Sequence, residues 1–137
     1  MVGKTQPATK AEAERMHQVK YYTGCIPCLL SPRPILNVHA TVQHVKEGNK
    51  RLGHQYTYAV CGYHHFGHNP KMFGPSLALN SREYAEVFGT ERQLVSVQDF
   101  ALSLLSQMGW WEFEMPINAG EQIREYWVKL RQNSTED

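Results

Sequence analysis

The stretch CGYHHFGHNP, residues 61–70, holds a cysteine, two adjacent histidines at 64 and 65, and a third histidine at 68. Cys61 and His64 are separated by two residues, a gap that lets one tight turn present two ligands to a tetrahedral zinc ion. The chain has three cysteines, and the other two repeat the gap as Cys25-Ile26-Pro27-Cys28. Cys25, Cys28, Cys61 and His64 together make a Cys₃His set that closes the 32-residue insertion between the two pairs. Two alternatives compete: a buried free thiol at Cys61, and a redox CxxC at Cys25 and Cys28. A redox CxxC ordinarily precedes a helix in a βαβ setting, which the flanking sequence lacks. With all four positions filled by protein, the zinc expected here is structural. Its binding, worth about 10–16 kcal/mol in small zinc modules, would hold together a hairpin with little core of its own.

His65 is then left over. Neighbours on a helix point about 100° apart, so His64 can face the knuckle while His65 faces elsewhere. Upstream, ILNVHATVQH (35–44) alternates, with Leu36, Val38, Ala40, Val42 and His44 on one face of a strand. VKEGNKRLGHQ reads as a loop or broadened hairpin turn, and YTYAV as the second strand. A strand-end histidine, a loop, a second strand and a helix histidine suit a one-metal nuclease. The helix histidine, His65, ligates a hydrated divalent cation beside the scissile phosphate, and the neutral strand histidine, His44, takes a proton from the attacking water. A third polar residue positions the base, and His54 is available for it. His39 alternates with Asn37 and Thr41 and reads as a solvated strand residue.

Charge agrees with a polyanionic partner. Residues 20–71 carry six Lys and Arg side chains against Glu47 alone, whereas residues 72–137 carry twice as many acids as bases. Six of the seven histidines fall in the basic block. Lys46, Lys50 and Arg51, in the hairpin turn, are the expected DNA contacts. Mean hydropathy of −0.49 and the lack of any long apolar run indicate a soluble chain with no membrane partner. The N-terminus lacks the apolar segment of a secretory signal, so a cytoplasmic location is expected.

The rest of the chain reads as helical. Asn80 with Glu83, Thr90 with Gln93, and Asn118 with Glu121 look like capping pairs, and Gly89 and Gly109 look like stops. WWEFEMP reads as extended. Trp110, Trp111, Tyr126 and Trp127 read as core and lid for the last helix. The expected fold is α+β, a zinc-stabilised ββα-metal unit with a helical C-terminal half. Residues 1–20 form a polar, partly disordered segment and 21–137 one domain, with its core at about 22–75 and its helical part at about 80–132.

In combination, CIPC, VQHV and GHQYTYAVCGYHHFGH resemble the HNH (ββα-metal) endonucleases, and most closely the phage Ref-like recombination-enhancement, RecA-dependent nucleases. The resemblance covers about residues 22–105. It implies structural zinc at Cys25, Cys28, Cys61 and His64, a general base at His44, and a catalytic Mg²⁺ or Mn²⁺ at His65. His54 lies near the middle position of the HNH signature. Gln43 stands where many HNH enzymes place an Asp or His ligand, and offers an amide oxygen without charge. His68, four residues after His64, is a candidate second ligand from the helix. By resemblance the partners are DNA and a RecA-type filament, in the cytoplasm of a bacterial host cell. The competing function is a catalytically weak or inactive zinc module that binds nucleic acid or protein. A purely structural zinc site needs His64 only, so His65 favours the enzyme.

Overall fold

A computed structural model describes residues 7–31, 36–37, 39–48, 50–66, 75–109 and 116–135. A β-hairpin lies at the centre. Strand β1 (Ala40–His44) pairs antiparallel with β4 (Thr57–Cys61), in the register Ala40 to Cys61, Val42 to Ala59 and His44 to Thr57. Between them, β2 (Lys46–Glu47) and β3 (Lys50–Arg51) form a second short ladder. The segment expected as a loop is therefore partly paired. The first described strand is shorter than the alternation predicts, beginning at Ala40. Val45 interrupts it but keeps the hairpin continuous: its N–H donates to the Tyr56 carbonyl at 2.9 Å, and its own carbonyl accepts from the Leu52 N–H at 3.1 Å. The chain between Leu52 and Tyr56 is longer than the strand opposite, and a turn closed by Tyr56 N–H to the Gly53 carbonyl takes up the excess.

Strand β4 is buried along its whole length, which suits its β-branched and aromatic composition. Its outer edge needs partners for backbone groups that β1 does not reach. Gln98, fully buried on a helix, accepts from the Ala59 N–H at 2.9 Å and donates through Nε2 to Thr23 Oγ1 at 2.8 Å. One amide thus joins three elements and leaves no buried polar atom of its own unpaired.

Helices surround the hairpin. Helix α1 (Lys10–Gln18) starts at a Thr9–Glu12 capping box and runs into a π-helical turn at Val19–Thr23. The short α2 (Ile26–Leu30) starts at Cys25 with Pro27 in its first turn, where proline's missing N–H costs nothing. Helix α3 (Gly62–Phe66) follows β4 directly. Helix α4 (Ser81–Phe88) ends at Gly89, whose φ of 103° suits a residue without Cβ. Helix α5 (Glu91–Met108) opens on the expected Thr90–Gln93 box, with both reciprocal bonds formed, and closes at Gly109. It buries Leu94, Val97, Ala101 and Leu105 along one stripe, at about 1.5–3 kcal/mol for each large apolar side chain. Helix α6 (Ile117–Thr135) packs on α5 and buries Ile123 and Trp127, and the Trp127 indole N–H donates to the Phe88 carbonyl at 2.7 Å. Tyr126 stacks on Phe100, with ring centroids 4.3 Å apart.

Two expected caps are corrected. Asn80 does stand at the N-cap of α4, but its side chain makes no capping bond there. Asn118 lies inside α6, whose first N–H groups are taken by the Pro116 carbonyl, so the start falls two residues earlier. The expected extended WWEFEMP segment, with Trp110 and Trp111, lies outside the described residues except for Pro116. Among the described residues, no helix is long and apolar enough to cross a membrane.

Candidate metal centre and histidine pair

The two short-gap pairs meet where α2 and the β4–α3 junction pack together. Cys25 N-caps α2, so its sulfur points back over the first turn and accepts from the Cys28 N–H at 3.4 Å. Cys61 ends β4 and repeats the arrangement, accepting from the His64 N–H at 3.4 Å. Both sulfurs are thereby oriented by local backbone geometry. His64 Nδ1 then lies 3.6, 3.5 and 3.3 Å from the sulfurs of Cys25, Cys28 and Cys61, with 3.8 Å between those of Cys28 and Cys61.

These separations can be tested against a metal. A tetrahedral zinc with bonds of about 2.3 Å to sulfur and about 2.0 Å to nitrogen has sulfur–sulfur edges of about 3.8 Å and sulfur–nitrogen edges of about 3.5 Å. The Cys28–Cys61 edge matches the first, and the three edges to His64 Nδ1 lie within about 0.2 Å of the second. All four ligand atoms lie within 4.8 Å of one another, and all four residues are buried. Burial pushes the Cys25 thiol up, helped by hydrogen bonding to Cys28, whereas hydrogen bonds from Cys25 and Cys28 draw the Cys61 thiol down. Without a cation the sulfurs can share little negative charge, since a buried thiolate is costly unless paired. The set could hold a metal ion such as zinc.

Supporting contacts come from residues that the spacing does not reveal. Asn37 donates from Nδ2 to Cys28 Sγ at 3.6 Å, and its carbonyl accepts from the Cys25 N–H at 2.9 Å. Gly24, at φ 67°, lets Asn37 come this close: a Cβ there would stand 2.4 Å from the Asn37 oxygen. A glycine immediately before the CxxC was a readable signal for such a close approach. Phe88 meets the His64 ring edge-on, with centroids 5.4 Å apart.

A second arrangement lies at the far end of the hairpin. His44 Nε2 is 3.2 Å from His54 Nδ1, with the rings tilted 76°. Burial lowers the His44 pKa from its ordinary value, and the charges of Arg51 and His54 lower it further. Gln43 points to the opposite face of β1 from His44, as alternation requires. Its Nε2 donates to Glu91 Oε2 at 3.4 Å, and the same oxygen accepts from Tyr58 OH at 2.9 Å. Glu91 and Tyr58 were not foreseen in this role.

His65, beside His64 on α3, stacks on Phe66 at 4.1 Å, and its buried Nδ1 has no hydrogen-bond partner among the described residues. His68 lies outside the described residues. Lys46, Lys50 and Arg51 are exposed on the β2–β3 ladder, as a phosphate-contacting role requires. His39 is exposed just before β1. Among the described residues, the Cys₃His cluster is the one group of three or more His, Cys, Asp or Glu close enough to share a metal ion.

Residues 8–103 match the family described as recombination enhancement, RecA-dependent nuclease. The chain belongs to that family. Membership points to nuclease activity with a role in recombination. The matched segment of this nuclease-family chain begins before α1 and runs through most of α5, so it includes the metal centre, the histidine pair and the helix docked beside it. No curated relative and no solved structure matches the chain.

Proposed function

We propose that this RecA-dependent nuclease family member is a metal-dependent DNA endonuclease of the HNH (ββα-metal) type, with His44 as general base. The observation that carries the reading is the 3.2 Å contact between His44 Nε2 and His54 Nδ1. One proton sits between the two nitrogens. With that proton on His44, Nε2 donates to His54 and the lone pair on His44 Nδ1 is free to accept a proton from water. Burial and the Arg51 charge keep His44 neutral, the form a base needs at physiological pH. His54 fixes the tautomer and the ring orientation.

In this reading zinc at Cys25, Cys28, Cys61 and His64 is structural and sets the direction of α3, hence of His65. His65 Nδ1, buried and without a hydrogen-bond partner among the described residues, supports a ligand role for that ring. Gln43 retains an amide oxygen while its nitrogen is committed to Glu91. His65 with Gln43 and His68 would hold the catalytic Mg²⁺ or Mn²⁺, which when bound supplies positive charge against the extra negative charge of the phosphorane-like transition state. Lys46, Lys50 and Arg51 attract the phosphate backbone. We read residues 21–137 as one nuclease domain, with α1 docked on it through Arg15, acting in the cytoplasm of a bacterial host on DNA presented by a RecA-type filament.

The test is a cleavage assay on plasmid and oligonucleotide DNA, with and without a RecA filament, in Mg²⁺ or Mn²⁺. Wild type should cleave, and His44→Ala should lose about 10²–10⁴-fold in rate while binding DNA normally. Cleavage at equal rates by the two proteins would remove the base assignment, and no cleavage by either would favour a zinc module that only binds.

A further inference from the structure

We propose that Arg15, on α1, is a positioning residue for the His44–His54 pair, acting through Thr57. The inference rests on the general-base reading of His44 and extends it to an element for which no catalytic part has been named.

The geometry is a chain of direct contacts. Thr57 is the register partner of His44, so the two side chains share one face at the end of the hairpin. The buried Thr57 hydroxyl donates to the His54 carbonyl at 3.0 Å, tying the His54 turn to the start of β4. Arg15 holds Thr57 twice: Nη1 donates to Thr57 Oγ1, and Nη2 donates to the Thr57 carbonyl at 3.1 Å. The guanidinium is itself fixed by Asp99 Oδ1 at 2.6 Å from Nη2. Arg15 is thus clamped from α5 and closes on the residue that anchors the His54 turn. A planar fork with several donors can do this, whereas an ammonium cannot make the same set of bonds.

Docking α1 alone does not require this design. A helix could be held to α5 by Asp99 without reaching the backbone and side chain of the residue opposite the base. Glu12, one turn earlier on α1, also faces this region: its carboxyl is held down mainly by Thr9 and in smaller part by His54. The family match begins at residue 8 and so takes in α1, although the last described helix, α6, falls outside it. Small displacements of a catalytic group cost rate steeply. A shift of about 1 Å can cost about 10²-fold.

The experiment measures single-turnover cleavage, DNA affinity, zinc content and melting temperature for Arg15→Ala, Arg15→Lys, Thr57→Val and the Arg15→Ala/Thr57→Val pair, with His44→Ala as reference. Arg15→Ala and Thr57→Val should each lower the cleavage rate about 10–100-fold, with zinc retained and DNA affinity within about twofold of wild type. The pair should be no slower than the worse single variant, because both act on one chain of contacts. Arg15→Lys should recover only part of the rate. Millimolar guanidinium should restore rate to Arg15→Ala and not to Thr57→Val. If Arg15→Ala does not fold, Thr57→Val carries the test, since it removes one hydroxyl at constant shape. A wild-type rate in Thr57→Val, or in a folded Arg15→Ala, beside an inactive His44→Ala would overturn the positioning role and leave the base assignment standing. A wild-type rate in His44→Ala would overturn both.

Discussion

His44 Nε2 lies 3.2 Å from His54 Nδ1 because the hairpin carries extra residues between Leu52 and Tyr56, which turn His54 back onto the end of β1. The pair is a product of that surplus length.

The first expectation concerns pH. Burial, then Arg51 and His54, lower the His44 pKa, so the folded protein binds this proton less readily than the unfolded chain, whose histidine titrates near about 6.5. The contribution to stability is present above about pH 6.5 and is lost as pH falls through the lower, folded-state value. The acid limb of the cleavage profile should likewise lie below about 6.5, and Arg51→Ala should move it upward. A limb at or above the ordinary histidine value would contradict the assignment.

Adjacent histidines should fail differently. His64→Ala removes one of the four proposed ligands and should lose zinc together with the folded hairpin, because zinc binding at about 10–16 kcal/mol matches or exceeds the usual stability of a small domain. His65→Ala should keep zinc and melt near wild type, yet lose metal-stimulated cleavage. Metal analysis and melting curves on the same preparations decide it. Zinc loss in both variants would merge the two roles.

Gly24 should not tolerate a side chain. Gly24→Ala puts a Cβ 2.4 Å from the Asn37 oxygen at positive φ, so the Cys25–Asn37 bond must open. A cost of about 1–3 kcal/mol and weaker zinc retention under chelator are expected. An unchanged melting temperature would show that the Asn37 segment can move without cost.

Salt should report on the exposed ladder. Neutralising Lys46, Lys50 or Arg51 should weaken duplex binding and flatten the slope of log affinity against log salt by about 0.9 for each phosphate that the variant no longer neutralises. Glu47 is already paired with Arg92, so its removal should matter less than a free acid would in that basic surface. A salt slope unchanged by all three substitutions would move the DNA elsewhere.

Local spacing carried much of this protein. The two-residue gaps determined the Cys₃His set, because three or four residues of backbone decide which way such side chains point, whatever else the chain does. The Thr90–Gln93 box and the glycine stops at 89 and 109 were legible for the same reason. Asn80 and Asn118 misled where the same local pattern met a different backbone: at Asn80 no capping bond forms, and at Asn118 Pro116 had already started the helix.

What only the tertiary structure decided lies across long separations. Arg15 reaches Thr57 over 42 residues and Asp99 over 84, and Gln43 reaches Glu91 over 48. The sequence by itself determined which residues could ligate, cap or titrate. Which of them meet depended on how the buried stripe of α5 seats α1 and the hairpin, and no local pattern encodes a contact that exists only after the core has packed.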